Sequence, residues 1–322
     1  MRSITKLIDQ VRAQTENEEV SDFVGIKDQE FIQYLNDAQY NLQAQIVHQH
    51  PRVFIKEEII SAVSGQEKYD LPSDCFLKNK VHNVEYSPTG AEDDYYVIEE
   101  DTIKYRNPGV TGNPVKYIRL SGQLLLTPQP QGFGKIRINY VKRLPELDKR
   151  CARVKTQATI TTSGLINIEL DNDTLTTEVD SILQHDYICI VDKEGKRIFS
   201  NLEISEISYD PATNLNRDPI AATYITVIGK SATSEDTVTI PAGSFIVGGR
   251  DTSTHSQLDT SVERYLIQYA AWKILKRDSS VDSGEAIQEL QLMATEIIKS
   301  YAMISDDVQF IPQLNAWDDW SS

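Results

Sequence analysis

The spacing of apolar residues changes twice along this chain, from helical to strand-like and back, and that alternation limits the folds open to it. Ile4, Leu7, Ile8 and Val11 recur at the spacing of one helix face. Phe31, Leu35, Ala38, Leu42 and Ile46 then step by four, three, four and four. Asp28 stands where an N-cap belongs, and Pro51 ends the pattern. After Pro51 the period becomes two. EEIISAVSG, EKYDLPSD, KVHNVEY, DYYVIEEDTIKY, VKYIRLSGQLLLTP and GKIRINYVKRL read as strands separated by turn residues. Pro128 and Pro130 cannot donate ladder hydrogen bonds and mark a turn.

At Cys151 the texture shifts toward Thr, Ser, Asn and Asp. TQATITT, LINIEL, DYICIVD, RIFSNLEISEISY, ATYITVIG and DTVTIP form a second set of strands. GSFIVGGRDTSTHSQ, rich in Gly, Ser and Thr, reads as a linker. From Asp259 the helical period returns. Val262, Tyr265, Leu266, Tyr269 and Trp272 share a face, and Ile287, Leu290, Ala294, Ile297 and Tyr301 share another after RDSSVDSG. A short connection predicts antiparallel neighbours. The final DDVQFIPQLNAWDDWSS shows no helical or strand period, yet it is aromatic, and such a segment is expected to dock on a partner.

Neither terminal helix pair can bury its apolar stripe alone. The predicted fold is therefore α+β, a helical bundle from the N- and C-terminal helices with an inserted antiparallel β region and a second inserted β module. The corresponding segments are 1–52 for the N-terminal helices, 53–150 for the core β region and 151–256 for the inserted module. The C-terminal helix pair is 257–305 and the docking tail is 306–322.

Charge and composition remove several classes of function. The net charge of −16 opposes tight binding to nucleic acid, which depends on Lys and Arg displacing counterions. No run of about 18 apolar residues occurs, so no membrane-spanning helix is predicted. Charges at Arg2, Lys6, Asp9 and Arg12 leave no room for a signal-peptide core, so the N-terminus reads as mature protein. Cys75, Cys151 and Cys189 are odd in number and far apart, against both a disulfide framework and a zinc site, and they point to a reducing compartment.

Motifs for chemistry fail one by one. Gly229-Lys230-Ser231 lacks the Walker glycine, since Tyr224 stands in its place, and strand-like sequence follows. Asp171-Asn172-Asp173 opens like a calcium loop, but Leu175, Thr176 and Ile182 occupy positions that need an oxygen ligand, Gly and Glu. His48 and His50 have no further ligands in sequence reach and read as a solvated helix end. No metal, cofactor or catalytic residue is assigned. The acids Glu92, Asp93, Asp94, Glu99, Glu100 and Asp101 around Tyr95 and Tyr96 keep one alternative open, a carbohydrate-active or cell-wall-degrading enzyme working through two carboxylates. A non-catalytic glycan-binding module over residues 152–250 is a further alternative.

The core β region supplies a pattern rather than isolated motifs: QEKYDLP at 66–72, GNPVKYIRLSGQLLL at 112–126 and TPQPQGFGKIRINYVKRLPEL at 127–147. This resembles the head-to-tail adaptor (connector) proteins of tailed bacteriophages, over the N-terminal helices, the β region to about Asp148 and the C-terminal helix pair. The resemblance implies a non-enzymatic virion protein of the neck, assembled in the host bacterial cytoplasm. It implies a homo-oligomeric ring of twelve copies beneath the portal protein, joined to another tail or nozzle protein, with genomic double-stranded DNA only in transit. It also implies a C-terminal arm that docks on the portal, here Asp307 to Ser322, with Phe310, Ile311, Leu314, Trp317 and Trp320 as partner-interface anchors.

Overall fold

A computed structural model describes residues 2–15, 26–102, 109–160, 163–171, 185–209, 222–230, 238–277 and 283–315. The chain is mixed α+β. It divides into two compact units, one of Met1–Asn41 with Pro145–Thr295 and one of Leu42–Leu144 with Glu296–Ser322. Helix α1 covers Ile4–Thr15, and α2 covers Asp28–Gln49, contributing its first half to one unit and its second half to the other.

The second unit is built on strands β1 (Ile55–Ser61), β2 (Lys68–Asp70), β3 (Val81–Ser87), β4 (Tyr96–Glu100), β5 (Thr111–Gly112), β6 (Lys116–Leu120), β7 (Gln123–Thr127), β8 (Gln129–Pro130) and β9 (Lys135–Val141). Seven of these form one sheet in the order β1-β9-β3-β4-β6-β7-β2. Its inner face carries the core of Val84, Ile98, Leu124, Ile136, Ile138 and Tyr140, all nearly inaccessible. Period-two alternation puts these residues on one face and their polar neighbours on the other. The sheet is not antiparallel throughout, as the sequence reading expects, because β4 and β6 run parallel with Glu99 opposite Lys116. The chain between them is long enough to return to the starting end, which a tight hairpin cannot do.

The first unit carries β10 (Glu146–Leu147), β11 (Arg150–Val154), β12 (Ala158–Ile160), β13 (Ser163–Asp171), β14 (Tyr187–Val191), β15 (Arg197–Tyr209), β16 (Ala222–Lys230), β17 (Val238–Ile240), β18 (Phe245–Gly248) and β19 (Thr252–Ser253). Strands β11-β13-β16-β15-β14-β18 close into an antiparallel barrel around Val154, Ile168, Ile188, Ile190, Ile225, Val227 and Ile246. Closure removes both sheet edges.

The stretch read as a linker is strand and core instead. β18 closes the barrel against β11 and β14, and Asp251 to Ser256 are all buried. Polar residues survive there because they bond one another and the backbone around them. Ser253 Oγ donates to the His255 carbonyl at 2.9 Å, the Asp251 N–H donates to Asn201 Oδ1 at 2.8 Å, and the Ile4 N–H donates to the Thr254 carbonyl at 2.8 Å. Composition reports polarity but not whether the polar groups find partners.

The remaining helices are α3 (Thr260–Arg277) and α4 (Ser283–Asn315). In the first unit α1 buries Ile4, Leu7, Ile8 and Val11, and α3 buries Val262, Tyr265, Leu266, Ala270 and Ile274. Glu263, fully buried, accepts the Arg2 backbone N–H at 2.9 Å. Asn41 donates to the Tyr269 hydroxyl at 3.0 Å, linking α2 to α3, and Gln268 donates to Glu289 at 3.3 Å, linking α3 to α4. Asp28 is the first residue of α2, where a carboxylate meets the positive end of the helix dipole, and it also pairs with Arg12 and Lys149.

Helix α4 corrects the reading of the tail. It runs to Asn315, so the segment expected to lack a period is helical up to that residue. Ile304, Val308 and Ile311 continue an i, i+4, i+7 spacing across Asp306 and Asp307. A helix already nucleated adds a residue at little cost.

Candidate docking surface

The segment LLLTPQPQGFGKIRINYVKRLPELD contains no reactive side chain, and the structure shows what it builds. Its turn between β8 and β9 is tied on both sides. The Gly65 N–H donates to the Pro130 carbonyl at 2.8 Å, Ser64 Oγ to the Gln131 carbonyl at 2.9 Å, and the Ala62 N–H to the Gly134 carbonyl at 2.8 Å. Gly134 admits no side chain, since a Cβ there would lie 2.6 Å from the Tyr86 hydroxyl and closer still to the Ser87 carbonyl oxygen. On this fixed turn Phe133 is 87% exposed, the highest value among the large apolar residues described. A rigid loop carrying a solvent-facing aromatic ring resembles the anchors that dominate protein interfaces.

The neighbouring strand extends the surface. β1 is an edge of the seven-stranded sheet. Hydrogen bonds from Lys142 N–H to the Phe54 carbonyl and from Ala62 N–H to the Gly134 carbonyl set the ladder phase. Even-numbered residues of β1 therefore bond β9, and the backbone groups of Glu57 and Ile59 point to the open edge. Ile55, Ile59 and Val63, all odd-numbered, are exposed on the same face. At the end of this row the Tyr69 hydroxyl receives the Val63 N–H at 3.0 Å and donates to the Val63 carbonyl at 3.2 Å.

Behind this edge the sheet is held by two charge clusters. The Arg137 guanidinium lies 3.7 Å from the Tyr95 ring centroid and meets Glu85 at 3.1 Å, Glu57 at 3.5 Å and Glu92. Inside, the Tyr140 hydroxyl donates to Asp74 at 2.6 Å and Lys56 Nζ reaches the same carboxylate at 3.0 Å. Burial works against the Asp74 anion, but hydrogen bonds from Tyr140 and Lys56 outweigh it and hold its pKa below the ordinary carboxylate value. Burial raises the pKa of Glu58, with Lys56 partly offsetting it. Burial also pushes the adjacent Cys75 thiol up to about 11, so it stays protonated and unreactive at neutral pH. These groups brace a sheet.

The residues singled out in sequence fall as follows. Glu100 forms a two-pronged pair with Arg119 at 2.6 and 2.9 Å, Asp101 pairs with Lys116 at 2.9 Å, Asp94 accepts from Thr89 at 2.8 Å and Glu92 pairs with Arg137. Three of the six acids, Glu92, Glu100 and Asp101, are thus held in ion pairs. Gly229 and Lys230 end strand β16, and His48 sits in the last turn of α2. Asn172, Asp173 and Ser231 lie outside the described residues. Phe310, Ile311 and Leu314 belong to the last turns of α4, with their side chains outside the described part, and Trp317 and Trp320 lie outside the described residues altogether.

Sequence reasoning assigns no role to Phe133, whose exposure shows only in the fold. The signal available was an aromatic bracketed by two glycines in a turn.

Comparison with known proteins adds one finding. Residues 2–163, just over half of the chain, match the model of a family described as SU10 adaptor protein. The match runs from α1 to the start of β13 and leaves α3 and α4 outside. No curated protein matches the chain in sequence.

Proposed function

Because this chain belongs to the SU10 adaptor protein family, a family of phage head-to-tail adaptors, we propose that it is a ring-forming structural subunit of the virion neck that joins the portal to the tail. The family match is the observation that carries the reading. Family membership implies a structural role and contacts with portal and tail proteins in general. Beyond that, the proposed ring contains twelve copies and lets genomic DNA through its channel. The net charge of −16 supports transit without adhesion, since like charges repel at close range. The buried faces of α1 and α3 and the contacts of Tyr269 with α2 and of Glu289 with α3 support one bundle built from the four helices.

In this reading the segment 306–322 is the arm that docks on the portal. Phe310, Ile311 and Leu314 then act as part of a helix, with Trp317 and Trp320 beyond it as further anchors. The Phe133 turn and the β1 edge are the surface offered to the next tail component. Assembly takes place in the host cytoplasm, and no described helix is long and apolar enough to cross a membrane.

The test compares the full chain with a chain lacking residues 307–322. Mass is measured by light scattering, alone and mixed with the portal protein of the same phage. The expected result is a ring or a portal complex for the full chain and neither for the truncation. A full chain that stays monomeric and does not join that portal would overturn the proposal.

A further inference from the structure

The barrel of the first unit carries a cleft on its outer face. In β13, Ile166, Ile168 and Leu170 point into the barrel core, so the alternate residues Leu165, Asn167 and Glu169 face outward. β16 pairs with this strand so that Asn167 lies opposite Thr226 and Glu169 opposite Tyr224. The segment Thr156–Thr159 borders the same face, and a cleft of about 360 Å³ opens between them. That volume falls in the ordinary range for ligand sites, roughly 300–1,000 Å³.

Its polar groups are fixed before any ligand arrives. Thr226 Oγ1 donates to Asn167 Oδ1 at 2.8 Å, which orients the amide and leaves its nitrogen without a protein partner among the described residues. The Glu169 carboxylate is held by Lys155 Nζ at 2.7 Å and Thr156 Oγ1 at 3.0 Å. The hydrogen bond from Lys155, then that from Thr156, keeps its pKa below the ordinary value. Glu169 is therefore a charged acceptor, not a proton donor, and the arrangement suits binding rather than cleavage. Tyr224, 41% exposed, and the exposed Leu165 supply apolar surface beside these groups.

An aromatic side chain next to an oriented amide donor and a fixed carboxylate acceptor matches one chemical class well. A pyranose ring presents a C–H face to an aromatic ring and adjacent hydroxyls to a donor and an acceptor. An anionic ligand would meet the Glu169 charge, while Lys155 is already neutralised by it. We propose that this cleft binds a neutral hexose unit of a polysaccharide. The proposal does not rest on the adaptor reading: Thr156–Thr159 lie within the matched residues 2–163, but Asn167, Glu169 and Tyr224 lie beyond them.

The test uses the full chain and immobilised neutral oligosaccharides of glucose, galactose, mannose, N-acetylglucosamine and rhamnose, with a sialylated oligosaccharide and polyphosphate as anionic probes. The expected result is saturable binding to at least one neutral probe. Tyr224→Ala and Asn167→Leu should each weaken it by about tenfold or more, while Leu292→Ser, on the exposed face of α4, should leave it unchanged. Thermal unfolding checks that each variant is folded. Tyr224→Phe, which keeps the aromatic ring, should retain most of the binding, so a loss confined to Tyr224→Ala is read as loss of the ring face and not of the fold. No binding to any neutral probe, binding indifferent to both substitutions in folded variants, or binding to the anionic probes alone would overturn the proposal.

Discussion

Substituting Asn36 by Leu isolates an interaction that the backbone of the first unit cannot replace. Strand β10 runs parallel to β19, and the N–H groups of Glu146 and Asp148 donate to the carbonyls of Asp251 and Ser253 at 2.8 and 3.0 Å. The N–H and C=O of Leu147 must then point the other way. Asn36 on α2 takes both. Its Nδ2 donates to the Leu147 carbonyl at 3.0 Å, and the Leu147 N–H donates to its Oδ1 at 2.7 Å. The side-chain amide acts as the missing neighbouring strand. Asn36→Leu keeps the volume and deletes both bonds beside a buried Leu147. An unsatisfied buried polar group costs about 1–3 kcal/mol, so the pair should cost about 2–4 kcal/mol once partial access of water to Asn36 is counted. With a urea slope of about 2–3 kcal/mol/M, the unfolding midpoint should drop by about 1 M. Asn36→Asp is the sharper variant. It keeps the acceptor but sets an anionic oxygen against the Leu147 carbonyl, so it should be at least as damaging at neutral pH and should recover partly in acid. Hydrogen exchange at the Leu147 amide gives the local readout. A midpoint within about 0.3 M of wild type, with unchanged protection at Leu147, would refute the reasoning.

Three further outcomes follow from the second unit. Tyr140→Phe removes the 2.6 Å donor to Asp74, a charge-assisted bond worth about 1.5–3 kcal/mol. Because the folded-state pKa of Asp74 is lowered, its contribution is present above the unfolded carboxylate pKa and lost as pH falls through the folded value. The variant should therefore begin acid unfolding at a higher pH than wild type in a circular-dichroism titration, and an unchanged acid limb would count against the network. Gly134→Ala forces a methyl against the Ser87 carbonyl and Tyr86, so thermal unfolding should show a loss of about 1–3 kcal/mol. Phe133→Ser should leave the unfolding midpoint where it is, since the ring contacts solvent, and should weaken capture of the next tail component by tenfold or more in a pull-down titration. Equal capture by both proteins would remove Phe133 from the docking surface.

The elements themselves were readable. The periods of Ile4 to Val11, of Phe31 to Ile46 and of Val262 to Trp272 correspond to α1, α2 and α3, and the alternating runs correspond to most of the strands. The family resemblance drawn from 66–147 agrees with the match over residues 2–163. The failures have separate causes. The polar stretch 251–256 looked like linker because its hydrogen-bond partners, among them Asn201 and Ile4, are far away in sequence. The tail looked irregular because two aspartates hid the spacing of Ile304, Val308 and Ile311, although α4 continues through it. The exposure of Phe133 was invisible in the sequence because it is a property of the folded surface.

What the sequence determined by itself is the type of each element and the face it must bury, since both follow from local spacing and the transfer of apolar groups out of water. Which strands pair was decided only by tertiary structure. Nothing local requires Glu99 to sit beside Lys116 in parallel, or β18 to close the barrel against β11. Nothing local requires an asparagine on α2 to complete a strand more than a hundred residues away. A backbone N–H or carbonyl carries no label for its partner, so its choice is settled by whichever arrangement satisfies all such groups at once while the apolar faces are closed.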